Sequence, residues 1–415
     1  MVSFSKFTLD NGLRVIVHED RSTPLVAINL LYDVGSKDEE PSATGLAHLF
    51  EHLMFGGTSE IPEFDTPLLL AGGENNAFTN SDITNFYITV PAENIETALW
   101  LESDRMNCLD ISKKSLDVQK KVVVEEFNQR YLNYPYGDSM LYLRPLAYKV
   151  HPYRWPTIGI DPSHIRNVTL SQTRDFFYSH YAPNNAILAL AGKITPVRAM
   201  KLAEKWFGNI ERREITIREL TAEPQQTEER SQIVERDVPA SAIFKAWHVS
   251  ASRKEGFYAC DMITDVLAGG ESGRLSVRLI KSKKLFSEID AFITADIDPG
   301  LLILHGKLMK ETEMEEANDS INETIEELKN KYVSAKEMEK VKNKYESSVI
   351  YGNTSILNKA MNLAYFELLG NPNLINEEAY LYREVDKKRV MDVAHKYLNR
   401  SNCSTLYYKS TRKER

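Results

Sequence analysis

The residues with the clearest chemical potential lie between positions 48 and 52, where the chain reads His48-Leu-Phe-Glu51-His52. On a helix the two histidines are one turn apart, so both imidazoles project from the same face toward a shared point. Two nitrogen ligands in this geometry favour zinc, which takes three protein ligands and a water molecule in catalytic sites. Glu51 can reach that water without being a ligand, and it can accept a proton there at neutral pH. The spacing therefore predicts a zinc site with Glu51 as general base.

Two histidines at helical spacing also occur as ordinary surface or core residues, and a five-residue pattern arises by chance in unrelated proteins. The context favours metal binding, because the helix around the histidines is otherwise apolar and is expected to be largely buried. Three ionisable groups in a buried element need partners, and one metal ion can serve all of them.

A third ligand should come from another element, and the helix predicted over 112–132 offers Glu125 and Glu126. Its apolar side, at about 100° per residue, is defined by Leu116, Val123 and Phe127. Glu126 lies about 80° from that direction and Glu125 roughly opposite to it. The pattern predicts Glu126 as the buried ligand and Glu125 as a solvated charge, although Glu126 taken alone resembles any carboxylate at the edge of a core.

The elements that must position these residues alternate between strands and helices. A hairpin is expected around Asn11-Gly12, a common turn pair, and the helix that carries the histidines is expected from about Thr44 to Phe55. Residues 133–157 are rich in Tyr and Pro and predict an irregular loop. Further strands are expected over Val26–Val34, Thr84–Val90, Ala186–Ala191, 243–250, 287–296 and Leu301–Leu308, and further helices near 93–106, 170–180, 196–207, 311–330 and 335–350.

Residues 211–232 are charged and polar, which is typical of a linker between domains, and they lie near mid-chain. A weak internal repeat favours a duplication, because residues 46–57 align without gaps on residues 259–270 and both segments end in Gly-Gly. In that alignment the second copy keeps the helix and loses its special residues: His48, Glu51 and His52 fall opposite Asp261, Thr264 and Asp265.

The linker and the repeat favour two homologous domains. The zinc-binding domain is expected over residues 1–210, the linker over 211–235, and a homologous inactive domain over 236–415.

Length and composition exclude several other classes of protein. The 415 residues are 42% hydrophobic and 27% charged, as in globular proteins of two or three domains. A net charge of −8 argues against a nucleic-acid binder, and no apolar run approaches the length of a membrane span. The start lacks an export signal, and the distant Cys108, Cys260 and Cys403 fit a reducing compartment. We therefore expect a cytoplasmic protein with no nucleic-acid or membrane partner.

The sequence around the histidines resembles the pitrilysin (inverzincin) family of zinc metallopeptidases, which includes insulin-degrading enzyme and the mitochondrial processing peptidase. Three segments carry the resemblance in order: His48-Leu-Phe-Glu-His52-Leu-Met-Phe-Gly-Gly-Thr58, Gly72-Gly-Glu-Asn-Asn-Ala-Phe-Thr79 and Val122-Val-Val-Glu-Glu126. It runs from Leu9 to about Pro156 and is weaker in the second half. Length and the absence of a transit peptide favour the bacterial two-domain branch, which is related to the processing peptidase. The family resemblance implies an α+β fold in which each domain is a mainly antiparallel sheet packed with helices and the two face each other across the linker.

The resemblance implies that His48, His52 and Glu126 bind zinc and that Glu51 is the general base. A family glutamate seven residues before the last ligand, thought to support that ligand, is Gln119 here, which implies a weaker charge behind the metal site.

In relatives the stretch that contains Asn76 and Ala77 belongs to a sheet edge that pairs with the substrate backbone near the zinc. An edge strand offers unpaired N–H and C=O groups, so an extended peptide can add to it. Asn76 and Ala77 are therefore the expected substrate contacts. Without the resemblance, a strand end with an Asn-rich turn is the simpler interpretation.

The second half departs from the family at one point. Leu267-Ala-Gly-Gly-Glu-Ser-Gly-Arg-Leu275 resembles the segment leading to an arginine and a tyrosine that hold the substrate carbonyl in active relatives. These positions are Ile280 and Ser287 here, and neither can donate a charge-assisted or phenolic hydrogen bond to an oxyanion. Arg278 is near but out of register. Either the chain uses other donors or, as we favour, a partner subunit carries the pair.

Residues and resemblance together predict a zinc-dependent endopeptidase that hydrolyses short or unfolded peptides. Four such domains enclose a chamber in family members, so we expect a homodimer or a heterodimer with a family-related subunit. The alternative is a non-catalytic structural or regulatory subunit of the same fold, although such subunits usually lose a ligand or the base. A zinc-binding module without peptidase function is disfavoured, because it has no need of an edge strand beside the metal.

Overall fold

The computed structural model describes residues 1–216 and 218–412, which form two compact units. The first unit takes its described residues from Met1–Phe127, Trp155–Leu220 and Val349–Glu378. The second takes its described residues from Asn128–Arg154, Thr221–Ser348 and the chain from Ala379 onward. Each unit therefore combines segments from both halves of the chain.

Eleven strands and fourteen α-helices make up the regular structure of the described residues. The strands are β1 (Ser5–Thr8), β2 (Arg14–Glu19), β3 (Leu25–Tyr32), β4 (Glu74–Thr79), β5 (Thr84–Pro91), β6 (Ala186–Gly192), β7 (Arg230–Arg236), β8 (Ala242–His248), β9 (Phe286–Ile293), β10 (Leu301–Leu308) and β11 (Cys403–Ser410). The helices are α1 (Leu46–Leu53), α2 (Asp65–Leu70), α3 (Ile95–Cys108), α4 (Lys113–Phe127), α5 (Ser139–Ala147), α6 (Pro162–Asn167), α7 (Leu170–His180), α8 (Pro196–Phe207), α9 (Phe257–Ala268), α10 (Met314–Asn330), α11 (Ala335–Gly352), α12 (Ile356–Leu368), α13 (Leu374–Glu384) and α14 (Lys387–Tyr397).

The first unit contains a six-stranded sheet in the order β1-β2-β6-β3-β5-β4. Strands β2 and β6 run parallel, and every other neighbouring pair is antiparallel. The expected hairpin is confirmed by the pairing of β1 with β2 around the turn at Asn11-Gly12. Strand β4 lies at the edge of the sheet, and among the described residues it pairs only with β5.

The second unit contains a five-stranded sheet in the order β7-β11-β8-β10-β9. Strands β7 and β11 are parallel and the other pairs are antiparallel. In chain order, β7 to β11 take the same places as β2 to β6, so the two sheets repeat one topology. This repeat confirms the predicted α+β fold of two related domains with mainly antiparallel sheets.

The local geometry of the edge strands repeats as well. Strand β9 stands at the edge of its sheet, as β4 does in the first unit. In β4 the backbone N–H of Ala77 donates to Asn76 Oδ1, and in β9 that of Ala291 donates to Asp290 Oδ1, both at 2.8 Å.

The helix after the second strand of each repeat, α1 or α9, begins at a glycine with left-handed backbone. Gly45 has φ +95° and Gly256 has φ +91°, a conformation that residues with a Cβ rarely adopt. Counted from these glycines, the places of the two α1 histidines fall on Ala259 and Ile263, two residues before the positions in the ungapped sequence match. Helix α9 is longer, which absorbs the difference, and it carries no histidine in either register.

Each sheet is covered on one face by a helix from the other half of the chain. Helix α12, from the second half, buries Ala360, Leu363 and Ala364 against Ala27 and Leu31 of the first sheet. Helix α5, from the first half, packs against β8, β11 and β7 of the second sheet.

The existence of α5 corrects the expectation of an irregular loop over residues 133–157. Leu143 and Ala147 of this helix join the apolar core formed with Phe244 and Leu406. The helix forms despite Pro145 in its interior, because the burial of this face outweighs the low helix propensity of proline.

The predicted boundary at 211–235 concerns the order of homologous domains along the chain, and it stays a prediction. Strand β7 begins at its C-terminal end, at Arg230. Among the described residues, none of the helices is both long and apolar enough to cross a membrane.

Candidate metal centre

Helix α1 is apolar and mostly buried apart from the three residues of the motif. Leu49, Phe50 and Leu53 are fully or almost fully buried. His48 is 9% exposed, and the side chain of His52 is 25% exposed. The histidines therefore lie at the boundary of the core, where one face of the helix meets a solvent-accessible space.

The structure brings His48, His52 and Glu126 together. The two Nε2 atoms are 3.3 Å apart, and Glu126 Oε2 lies 3.6 Å from His48 Nε2 and 3.2 Å from His52 Nε2. These are the only three residues among the described His, Cys, Asp and Glu whose ligand atoms cluster as a metal site requires.

The triangle fits one zinc ion. Tetrahedral zinc with ligands at about 2.0–2.1 Å separates the ligand atoms by roughly 3.3–3.4 Å, and the three measured distances bracket this value. The donor set of two imidazoles and one carboxylate is also one that catalytic zinc sites use. When bound, zinc would polarise a water molecule and a substrate carbonyl at this place.

Helix α4 delivers Glu126 to the cluster. Its buried residues are Leu116, Val123 and Phe127, the three predicted from the apolar pattern. Glu126 has a side-chain exposure of 18%, while Glu125 lies on the exposed side of the helix. After Phe127 the chain continues as a short π-helical segment. The helix predicted over 112–132 is therefore α-helical only as far as Phe127, one residue after Glu126.

Glu51 connects the cluster to the edge of the sheet. It lies one residue before His52 on α1, and its Oε2 accepts a hydrogen bond of 2.6 Å from Thr79 Oγ1, the last residue of β4. A charge-assisted hydrogen bond of this kind favours this orientation of the carboxylate. Thr79 was part of the motif quoted above, yet sequence gave no reason to single it out, since the contact joins residues 28 positions apart.

The expected substrate contacts lie on β4. Asn76 is exposed and Ala77 half-buried. Because the Ala77 N–H donates to a side chain and alternate residues of an antiparallel strand direct their backbone groups to the same side, Ala77 presents its N–H and C=O to the open edge. The strand can therefore accept a further strand, and the roles of Asn76 and Ala77 stay predictions.

A buried carboxylate holds the start of α1. Glu39 is fully buried, and its two oxygens accept hydrogen bonds of 2.8 Å from the backbone N–H groups of Gly45 and Ala47. Burial raises the pKa of this carboxyl well above its usual range, against the opposite effect of these two hydrogen bonds. No sequence signal marked Glu39, because its partners lie six and eight residues away across a turn.

The same loop contains a second carboxyl that titrates unusually. Asp38 caps the turn by accepting the Gly35 N–H at 2.9 Å, and burial raises its pKa to about 7. Nearby, Lys37 donates to Asp82 at 2.9 Å.

The other predicted residues have contacts of their own. Gln119 makes no hydrogen bond to the cluster among the described residues, although its Nε2 approaches Gly56 just beyond α1. Ile280 packs against the core of the second unit, and Ser287 on β9 donates to the Lys307 carbonyl at 3.2 Å. Arg278 forms ion pairs with Glu323 and Glu327. The second unit thus has no arginine–tyrosine pair at the family positions.

Fold and site together define a class of protein: two repeated α+β domains with one candidate metal centre, in the first unit. A family model described as insulinase (peptidase family M16) matches residues 14–141, which include every residue of the cluster. A second, described as the peptidase M16 inactive domain, matches residues 167–345. The chain belongs to peptidase family M16, which confirms the resemblance to the pitrilysin family.

Individual relatives agree over nearly the whole chain. A zinc protease of Helicobacter pylori, PqqE, is 27% identical over 411 residues, which are 97% of this chain and 92% of the relative. An uncharacterized zinc protease of Bacillus subtilis, YmxG, is 27% identical over 94% of both chains. The crystal structure of a protease from Helicobacter pylori superposes with a TM-score of 0.92 at 25% identity, covering 99% of this chain and 100% of that one. A Pseudomonas fluorescens structure titled peptidase M16 inactive domain has a TM-score of 0.90 at 17% identity over 100% of this chain and 99% of that one, which shows the fold alone.

Proposed function

We propose that the chain is a zinc-dependent endopeptidase acting on short or unfolded peptides. The observation that carries the proposal is that Glu51, one residue before His52 of the triangle, is hydrogen-bonded to Thr79 at the end of the edge strand β4. A peptide added to this edge would run past the same carboxylate that stands beside the metal ligands.

The residues of the chain divide the work of hydrolysis between them. His48, His52 and Glu126 hold the metal, which supplies the Lewis acid. Glu51 takes the proton of the attacking water and returns it to the leaving amine, with Thr79 holding the carboxylate in place. The backbone of Ala77 aligns the substrate as an added strand, which selects extended and therefore short or unfolded peptides.

We also propose that activity depends on a dimer with a family-related subunit. With Ile280 and Ser287 at these positions, the chain lacks the arginine–tyrosine pair. Ile280 packs against the core and Ser287 donates to a backbone carbonyl, so neither side chain replaces the pair as a donor to the substrate carbonyl. A partner that carries the pair would complete the site. The cytoplasmic location stays a prediction.

The alternative is a structural or regulatory subunit without catalysis. The absent pair and the match to a family model for an inactive domain favour it. The complete set of ligands and base, all within the range of the other family model, favours a peptidase.

The test is hydrolysis of a quenched peptide library by the purified chain, with zinc quantified in the same sample. Cleavage abolished by chelation and by Glu51→Gln supports the peptidase. Stoichiometric zinc without cleavage would direct the search to a partner subunit, and adding that subunit should restore cleavage. A chain that binds no zinc contradicts the mechanism.

A further inference from the structure

The second unit contains a cleft of about 720 Å³ between α10 and the sheet strands β7, β11 and β8. This volume is in the range of about 300–1,000 Å³ that small-molecule sites occupy. In the first sheet, α8 follows β6 and packs against β2 and α3. Strand β11 takes the place of β6 in the second sheet, and the cleft lies beside β11 and β7, the counterparts of β6 and β2.

The floor of the cleft carries a buried positive charge. Lys245 is 1% exposed, and its Nζ donates to Asn318 Oδ1 at 2.8 Å and to Thr405 Oγ1 at 3.1 Å. The ammonium also faces the Cys403 thiol, which stays protonated because burial raises its pKa. Within the described part of the chain Lys245 forms no ion pair, although Glu229, Asp319 and Glu326 line the same cleft.

A buried ammonium without a countercharge is costly, and a protein normally pairs such a group. The cleft offers the space for a pairing group from outside. Asn318 uses its oxygen on Lys245, which leaves its amide N–H groups to donate, and Asn322 stands one helical turn further along the same face of α10. Lysine and two amides form a donor set suited to a carboxylate.

The exposed lining of the cleft carries carboxylates beside the basic residues Arg400 and Lys409. Glu315 and Asp319 are exposed and also one turn apart on α10, where they can receive an ammonium group. Between the floor and these two carboxylates the lining includes Trp247 and Ile325, which can contact an apolar side chain. We propose that this cleft binds a free amino acid or a short peptide, with its α-carboxylate on Lys245 and its ammonium group at Glu315 and Asp319.

The experiment is calorimetric titration of the full chain carrying Glu51→Gln, so that no probe is hydrolysed. The probes are L-leucine, L-leucyl-L-leucine and the C-terminal amide of each. At least one carboxylate probe should bind, and its amide should bind at least about tenfold more weakly. The tighter of the two carboxylate probes identifies the source of the α-carboxylate as an amino acid or a peptide.

Three substitutions separate the cleft from other carboxylate sites, including the metal centre. Lys245→Met should weaken binding at least about tenfold and abolish the difference between acid and amide. Lys409→Met, at an exposed lysine of the same cleft, should change the affinity by less than about threefold. Asn318→Asp places a carboxylate beside the ammonium, so it should weaken binding at least about tenfold and raise the melting temperature. This variant keeps the proposal testable if Lys245→Met does not fold.

Either of two results would overturn the proposal: no binding of either acid up to about 10 mM, or equal binding of acid and amide. Unchanged affinity in a folded Lys245→Met or Asn318→Asp chain would also overturn it. The measurement reads binding and not hydrolysis, so its outcome is independent of the proposed peptidase function.

Discussion

At the scale of single residues, Glu126 and Glu125 form a matched pair on α4. Glu126→Gln replaces a proposed metal ligand by a neutral amide. We expect zinc affinity to fall by well over about tenfold, because even the loss of a group behind a ligand costs that much. Glu125→Gln removes the same charge on the exposed side of the helix and should keep the zinc content of the natural chain. Metal analysis after dialysis against a competing chelator measures both. Equal zinc retention in the two variants would remove Glu126 from the ligand set.

The hydrogen bond from Thr79 to Glu51 makes a second prediction about one residue. Thr79→Val keeps the shape of the side chain and removes the donor, so Glu51 loses its fixed orientation. Hydrogen bonds to charged groups contribute about 1.5–3 kcal/mol, and kcat should fall about tenfold or more with little change in KM. Thr79→Ser restores the hydroxyl and should recover most of the rate. A valine variant with normal kcat would show that Glu51 is positioned by other contacts.

At the scale of elements, Glu39 stabilises the start of α1 at Gly45 and Ala47. Glu39→Ala leaves the buried N–H groups of Gly45 and Ala47 without their acceptor and should lower the free energy of unfolding by about 2 kcal/mol or more. Because α1 carries both histidines, zinc affinity should fall as well. Glu40→Ala, at the exposed neighbouring residue, is the control. Urea denaturation and zinc titration measure the two quantities. In Glu39→Ala both the free energy of unfolding and the zinc affinity should fall, and in Glu40→Ala neither should change.

The loop before α1 also predicts how stability changes with pH. The pKa of Asp38 is raised from 3.8 to about 7 in the folded chain, so between these values the native state holds a proton that the unfolded state has released. The stabilising effect of this group is complete below about pH 4, declines as pH rises, and is lost above about pH 7.

Asp38→Asn tests this dependence, because the amide keeps an oxygen for the Gly35 N–H but cannot ionise. Its melting temperature should gain on that of the natural chain as pH rises from 4 to 7. Asp10→Asn, at an exposed turn residue, should follow the natural curve throughout. Parallel curves for Asp38→Asn and the natural chain would contradict the assigned titration.

The success of sequence reasoning at this scale depended on the range of the contacts involved. The helix of the histidines and the buried side of α4 follow from local periodicity and are present in the structure. Helix α1 is shorter than predicted, because it begins at Leu46 and ends at Leu53, before Gly56-Gly57. Thr79 and Glu39 act through bonds across turns and strands that no local pattern records. Helix α5 was not predicted, because Pro145 and the aromatic residues around it are typical of a loop. What stabilises the helix is the burial of Leu143 against the second sheet, which the local sequence does not show.

At the scale of the whole molecule, the exchange of α5 and α12 ties the two halves of the chain together. Residues 1–210 made alone would leave the face of the first sheet around Ala27 and Leu31 without α12. Residues 221–415 alone, which include all of β7, would lack α5 over Phe244. We expect neither fragment to unfold cooperatively by itself, and the two together to form a stable complex in which each supplies the helix that covers the other's sheet.

Co-purification and near-UV circular dichroism of the separate and combined fragments measure this. Leu363→Asp in the intact chain is the complementary test, because it places a charge against the buried face and should destabilise the first unit by about 3 kcal/mol or more. Tyr380→Asp, at an exposed residue of α13, should change stability little. A fragment 1–210 that unfolds cooperatively on its own would show that α12 is dispensable.

The exchange also determines the order in which each sheet and its covering helix are translated. The last strand of the first sheet is complete at Gly192, whereas its covering helix begins at Ile356. Roughly 160 residues must be translated in between, which takes roughly 8 to 30 s at about 5–20 residues per second. Throughout that interval the face of the first sheet around Ala27 and Leu31 lacks its covering helix. Helix α5 is already translated when the second sheet emerges, so only the first sheet is completed before its covering helix. We expect chaperones to bind the nascent chain during this period.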